Sequence, residues 1–235
     1  MIDQSTSKGR ILAAALACAA ANNWAEVSLR DIAEHAKVPL PEMRDLFPSR
    51  SAIVAALINA VDREVLSRVD RGERQDKRDL LFDVIMTRFD VLAPHKAALK
   101  SMAAAGGADP ALAGPLLSSL YWMLQAAGVD SSGPGGALKL AGLAGIYASV
   151  FHTWLADDDP GLARTMAALD RRLRRGERTL RNLDGLATTA RKVATAGPAW
   201  VTAWLRRRQG GGGDAAPDDS DPASVRPQPQ GGRDE

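Results

Sequence analysis

The sequence predicts an all-helical protein in which a small N-terminal helix-turn-helix module leads into a larger helical domain. Three observations carry this reading. Apolar residues recur at three- and four-residue spacing through most of the chain, no stretch alternates Val, Ile or Thr with polar residues, and Ser, Asp or Pro stands where most periodic segments begin. With 235 residues and a hydrophobic fraction of 46%, dominated by Ala and Leu, the chain is long enough for one small core and one larger one.

The first helix is expected to follow the Ser5-Thr6-Ser7 cluster and to run to about Ala21, with Ile11, Leu12, Ala15, Leu16 and Ala19 on one face. Ser28 then offers a cap for a second helix carrying Asp31 in its first turn and Ile32 and Ala36 inward. A short third helix starts around Pro39 to Pro41, because proline loses no hydrogen bond in a first turn, and Pro48 ends it. Ser49 caps a long fourth helix marked by Ile53, Leu57, Ala60 and Val61. After a charged connector at 71–79 come a fifth helix (Leu80 to Leu92), a sixth (Lys96 to Ala105) and a seventh opened by Asp109-Pro110 and reaching about Ala127. Ser131 to Gly136 reads as a flexible turn, Ala137 to Ala156 as an Ala/Gly-rich helix, and Gly161 to Arg181 as an amphipathic one with Asp157 to Asp159 capping its start. The last helix is placed from about Leu186 to Arg208. The divisions that follow are a module at 1–50, a helical ligand-binding and dimerisation domain at 51–183, an amphipathic helix at 184–208 and a disordered, Gly- and Asp-rich tail at 209–235.

Charge is unevenly distributed behind a net value of +2. Residues 1–70 carry 8 basic and 9 acidic side chains, whereas residues 171–208 carry 11 basic against 2 acidic. An anionic partner is therefore drawn to the late helices rather than to the N-terminal module. Cys18 is the sole cysteine and sits among Ala15, Leu16 and Ala19, which excludes a disulfide framework and a multi-cysteine zinc site. The N-terminus has no basic segment followed by an apolar run, so a cytoplasmic setting is expected. His35, His95 and His152 are scattered and no nucleophile, phosphate loop or metal-ligand spacing accompanies them. The expectation is a protein that is not an enzyme, with no catalytic residues, cofactor or metal.

The stretches Ile11-Leu12-Ala13-Ala14-Ala15, Ser28-Leu29-Arg30-Asp31-Ile32-Ala33, Val38 and Phe47-Pro48-Ser49-Arg50 resemble the DNA-binding domain of the TetR family. What matches is the apolar and capping framework, so the resemblance implies a TetR-like fold before it implies DNA binding. Where typical members of that family present donors on the third helix, this chain has Pro39, Leu40, Pro41, Glu42, Arg44, Asp45 and Leu46. Glu42 and Asp45 place negative charge where phosphates would lie. Arg44 and Arg50 remain as phosphate donors under the alternative reading, a ligand-responsive transcriptional regulator with DNA as partner; their plainer reading is surface solubility and salt bridging.

A second resemblance lies further on. Thr153-Trp154-Leu155-Ala156-Asp157-Asp158-Asp159-Pro160 and Thr165-Met166-Ala167-Ala168-Leu169-Asp170-Arg171-Arg172-Leu173, with Arg88-Phe89-Asp90 and Pro94-His95, are similar to the lipid-binding accessory protein family of coenzyme Q biosynthesis. That resemblance implies a helix-turn-helix kept as scaffold, an apolar pocket for an isoprenoid lipid or quinone precursor, a membrane-touching last helix, and a quinone-biosynthesis enzyme as partner. Leu143, Ile146, Tyr147, Val150, Phe151, Trp154, Met166 and Leu169 are the residues expected to line the pocket, although a stripe at helical spacing is more often core. In the last helix Trp200, Val201, Trp204 and Leu205 form an apolar patch followed by Arg206, Arg207 and Arg208, a pairing suited to an anionic membrane surface. The protein is accordingly expected at the inner face of the membrane, bound peripherally. The helices around 110–127 and 137–156 are expected to form a homodimer.

Overall fold

The computed structural model describes residues 2–69, 76–105 and 109–195, with backbone alone for 133, 134 and 180–195. The chain divides into two units, residues 1–183 and 184–235, and every side-chain contact below belongs to the first. The described residues are helical, and no strand occurs among them. Trp200 to Arg208 and the tail at 209–235 lie outside the described residues.

Local caps set the first four helices. In α1 (Ser7–Ala21) the Thr6 hydroxyl accepts from the Gly9 N–H at 3.0 Å. A reciprocal capping box opens α2 (Leu29–Ala36): the Ser28 hydroxyl accepts from the Asp31 N–H at 3.2 Å, and the Asp31 carboxylate from the Ser28 N–H at 2.8 Å. Its far end closes at Lys37, whose φ of 52° is the left-handed conformation usually given to glycine. The two prolines start α3 (Leu40–Leu46), a helix with only Met43 buried, and the Ser49 hydroxyl caps α4 (Arg50–Arg68).

Beyond them follow α5 (Lys77–Leu92), a single 3-10 turn at Ala93–His95 holding Pro94, and α6 (Lys96–Ala105). A 3-10 turn at Pro110–Leu112 leads into α7 (Ala113–Ala126), then α8 (Gly133–Leu155) and α9 (Ala163–Thr195). Two expectations are corrected. Helix α8 begins at Gly133, so the turn expected at 131–136 is shorter; Pro134 in the first turn has no N–H to leave unpaired and lets the helix start early. The break expected between Arg181 and Leu186 is absent, because one glycine at 185 lowers helix propensity by about 1 kcal/mol without ending a helix.

Two apolar clusters result. One joins α1 to α4 around Ile11, Ala15, Ile32, Met43, Phe47 and Ile53, with Ala98 of α6 against it. Ser101 of α6 fixes that contact, accepting from the Trp24 N–H at 2.9 Å and donating to the Asn22 carbonyl at 2.8 Å. The other is built by the second half of α4 (Val61, Val65) with α5, α7, α8 and α9, around Phe89, Val150, Trp154 and Leu169. Because α4 contributes Ile53 and Leu57 to one cluster and Val61 and Val65 to the other, it couples module and domain in one rod.

Candidate functional site

Helix α8 changes character along its length, and this creates the site. In its first half, rich in Ala and Gly, Leu140, Leu143 and Ala144 pack into the core while the small residues leave space beside them. Around Leu138, Gly142, Leu143 and Ile146 lies an open cavity of about 690 Å³, walled on the other sides by Leu81 of α5, Leu124 and Val129 at the end of α7, and Leu173 of α9. This falls within the range of small-molecule sites, about 300–1,000 Å³. A Cβ added at Gly142 or Gly145 would meet no atom within 4 Å, so the glycines leave room that a larger side chain would fill. Gly176 of α9 has the opposite role. There a Cβ would stand 3.1 Å from Ile146 Cδ1, and its absence lets α9 close against α8. The α7 end that forms the third wall turns at Gly128, φ 65°, with the Val129 N–H returning to the Leu124 carbonyl at 2.9 Å.

The rim of this apolar cavity is charged. Lys77, Arg78, Lys139, Arg172 and Arg175 line it together with Asp76, Asp130 and Glu177. Arg78 pairs with Asp79 at 2.8 Å and Glu177 at 3.8 Å, and Lys139 donates to the Asp130 carbonyl oxygen at 2.8 Å. The Asp130 carboxyl is held below its ordinary range by the Ser132 hydroxyl and N–H, with Lys139 and Lys77 adding positive charge nearby.

The second half of α8 is solid core. Phe89, Tyr147, Phe151 and Trp154 stack in a chain, with ring centroids 5.2 Å apart for Phe89 and Trp154 and 5.7 Å for Phe151 and Trp154. Of the residues expected to line a pocket, Leu143 and Ile146 therefore do so, whereas Tyr147, Val150, Phe151, Trp154 and Leu169 fill the interior beside it. Met166 is 38% exposed and lines a separate groove of about 510 Å³ with Phe82 and Asp170. The division has a simple cause: an apolar stripe marks the side of a helix that faces inward, and only the neighbouring elements determine whether the space there is filled.

Sequence reasoning missed a buried polar cluster beneath the stack. Asp62 of α4 accepts from Arg88 of α5 and from the Ser119 hydroxyl of α7 at 2.7 Å, while Arg88 Nε donates to the Tyr147 hydroxyl of α8 at 3.0 Å. Four helices are tied through one guanidinium and one carboxylate. Asp157 is likewise buried, accepting from the Thr165 hydroxyl at 2.7 Å and N–H at 2.9 Å, which holds its carboxyl low. Asp159 caps the start of α9 through the Gly161 and Ala163 N–H groups.

In the N-terminal module Arg50 donates to the carbonyls of Trp24, Ala25 and Val27 at 2.6, 3.2 and 2.9 Å, and its guanidinium lies 5.6 Å from the centre of the Trp24 ring. It clamps the loop between α1 and α2. Arg44 is exposed on α3, beside exposed Glu42, Asp45 and the apolar Leu40 and Leu46. On α7, Leu116, Leu117, Tyr121 and Trp122 are exposed together, Trp122 by 50%. Among the described residues no helix is long and apolar enough to cross a membrane.

The COQ9 family model matches residues 138–179, the segment comprising most of α8 and the start of α9. No curated protein matches the chain. Solved structures do, at the level of fold. A TetR transcriptional regulator from Rhodococcus sp. RHA1 shares 19% identity over 74% of this chain and 97% of its own, with a TM-score of 0.57. One from Nitrosomonas europaea ATCC 19718 shares 22% over 73% of this chain and 98% of its own, TM-score 0.59. A TetR-family regulator from Streptomyces coelicolor shares 14% over 89% and 100%, TM-score 0.55. The fold is TetR-like.

Proposed function

We propose that the chain is a non-catalytic lipid-binding accessory protein of ubiquinone biosynthesis, which takes the isoprenoid part of a quinone precursor into the cavity along α8 and presents it to a partner enzyme. One coincidence carries the reading: the segment similar to COQ9, residues 138–179, is the segment that supplies the α8 and α9 walls of the cavity. The ubiquinone link comes from the family match, and the cavity gives that match a physical content. Its walls are apolar, its volume suits a small lipid, and the glycines of α8 keep it open.

Membrane attachment is part of the same proposal and rests on sequence. Trp200, Val201, Trp204 and Leu205 followed by Arg206, Arg207 and Arg208 combine a half-burying apolar patch with cations for lipid phosphate. A second copy of the chain, seated on the exposed Leu116, Leu117, Tyr121 and Trp122 of α7, completes the assembly we propose. The two arginines on which a DNA role would rest do not favour it: Arg50 is engaged with backbone carbonyls and Arg44 stands between two acids on α3.

The test is organic extraction of the purified protein followed by mass spectrometry, run beside a low-salt gel shift with genomic fragments. A co-purified isoprenoid and no sequence-selective shift are expected. A selective, salt-sensitive shift with no bound lipid would overturn the proposal.

A further inference from the structure

We infer that the cavity takes an amphiphile with an anionic head, held by Arg172 and Arg175, rather than a wholly neutral lipid. This rests on the cavity reading above and adds the charge of the ligand. The balance of the rim is the starting point. Arg78 is neutralised by Asp79 and Glu177, and Lys139 and Lys77 stand beside the Asp130 carboxylate. The side chains of Arg172 and Arg175 make no hydrogen bond or ion pair with any described residue, although the Arg175 carbonyl accepts from the Thr179 hydroxyl at 3.0 Å. The Nε–H of Arg172 is buried without an acceptor and has no accessible surface, so the donors that can meet an oxygen from outside the chain are the terminal N–H groups of the two guanidiniums at the cavity wall.

The geometry suits a head at α9 and a tail at α8. Arg172 and Arg175 are three residues apart on α9 and so share a face, and Gly176 next to them contributes no side chain to crowd it. From there the apolar wall runs past Leu173, Ile146 and Leu143 to Gly142, where space is open. A carboxylate, phenolate or phosphate ester accepts the paired, planar donors that two arginines offer, whereas a neutral carbonyl head leaves one of them unmet.

Calorimetric titration of the full chain with hexadecyl phosphate, hexadecanol and inorganic phosphate, each below its aggregation concentration, separates head from tail. Hexadecyl phosphate is expected to bind roughly tenfold or more tighter than hexadecanol, with inorganic phosphate far weaker than either. Arg172→Gln and Arg175→Gln should each bring hexadecyl phosphate down toward hexadecanol and leave hexadecanol unchanged. Arg175 is exposed, so Arg175→Gln keeps the test open if Arg172→Gln does not fold. Equal affinities for the two amphiphiles, unmoved by either substitution, overturn the anionic head and leave the lipid cavity standing. Binding of neither overturns both, and inorganic phosphate binding as tightly as hexadecyl phosphate overturns the amphiphile in favour of a plain anion site.

Discussion

Single side chains here act mainly by satisfying one another, and the most consequential lie where periodicity gives no hint. Asp62 and Arg88 are 26 residues apart and each reads as a surface charge in sequence, yet they meet in the interior with Ser119 and Tyr147. Asp62→Asn removes the charge that compensates a buried guanidinium, and should cost about 3–5 kcal/mol in urea unfolding, the range for breaking one partner of a buried pair. Arg50 was readable as a phosphate donor only because its three carbonyl partners are invisible until the loop before α2 is folded. The same local pairings set the response to acid. Burial pushes the His95 imidazole below its ordinary 6.5, so the unfolded chain takes up the proton first and stability begins to fall as pH drops below that value. Asp157 adds a later stage. Its carboxyl is held below 3.8 by the Thr165 hydroxyl and N–H, so the stability it confers is complete above 3.8 and is lost as pH falls through the lowered value. Denaturant midpoints followed against pH should show both stages, with His95→Gln removing the first and Thr165→Val weakening the second.

At the scale of elements, what could be read from sequence was what is local. Thr6, Ser28 and Ser49 cap α1, α2 and α4 as their hydroxyls suggest, and α6 occupies Lys96–Ala105 as expected. Lys37 closes α2 in a conformation that its side chain does not advertise, since glycine is the usual signal. The site was half legible for a related reason. Leu143, Ile146, Val150 and Trp154 continue one inward stripe on α8, but the stripe passes from open space to filled core between Ile146 and Val150, and only α5, α7 and α9 determine where. The glycines make this testable. Gly142→Ala and Gly145→Ala meet nothing and should stabilise by about 0.5–1 kcal/mol each through helix propensity. Gly176→Ala should gain little, because its Cβ would press on Ile146 Cδ1 at 3.1 Å. Thermal unfolding of the three variants distinguishes the open wall from the closed one.

The whole molecule joins a helix-turn-helix module to a helical domain through α4, and the two ends have diverged in what they offer a ligand. Short α3, with Pro39, Pro41, Glu42 and Asp45, is a poor surface for phosphate, whereas α8 and α9 enclose an apolar space with a basic rim. The TetR-like fold was legible because module caps and apolar spacing belong to the chain itself. The proposed lipid role rests in sequence on the motifs at 153–173 and 88–95 and on the patch at 200–208, and the first of these lies within the segment matching COQ9. The proposal stands or falls on whether the cavity along α8 binds lipid. Its most direct test is titration of the wild type and of Gly142→Trp with an isoprenoid quinone precursor, followed by calorimetry, with thermal unfolding as the control for fold. Saturable binding by the wild type is expected, with a loss of roughly tenfold or more in Gly142→Trp at undiminished stability. Equal binding by both proteins, or none by the wild type, would contradict it.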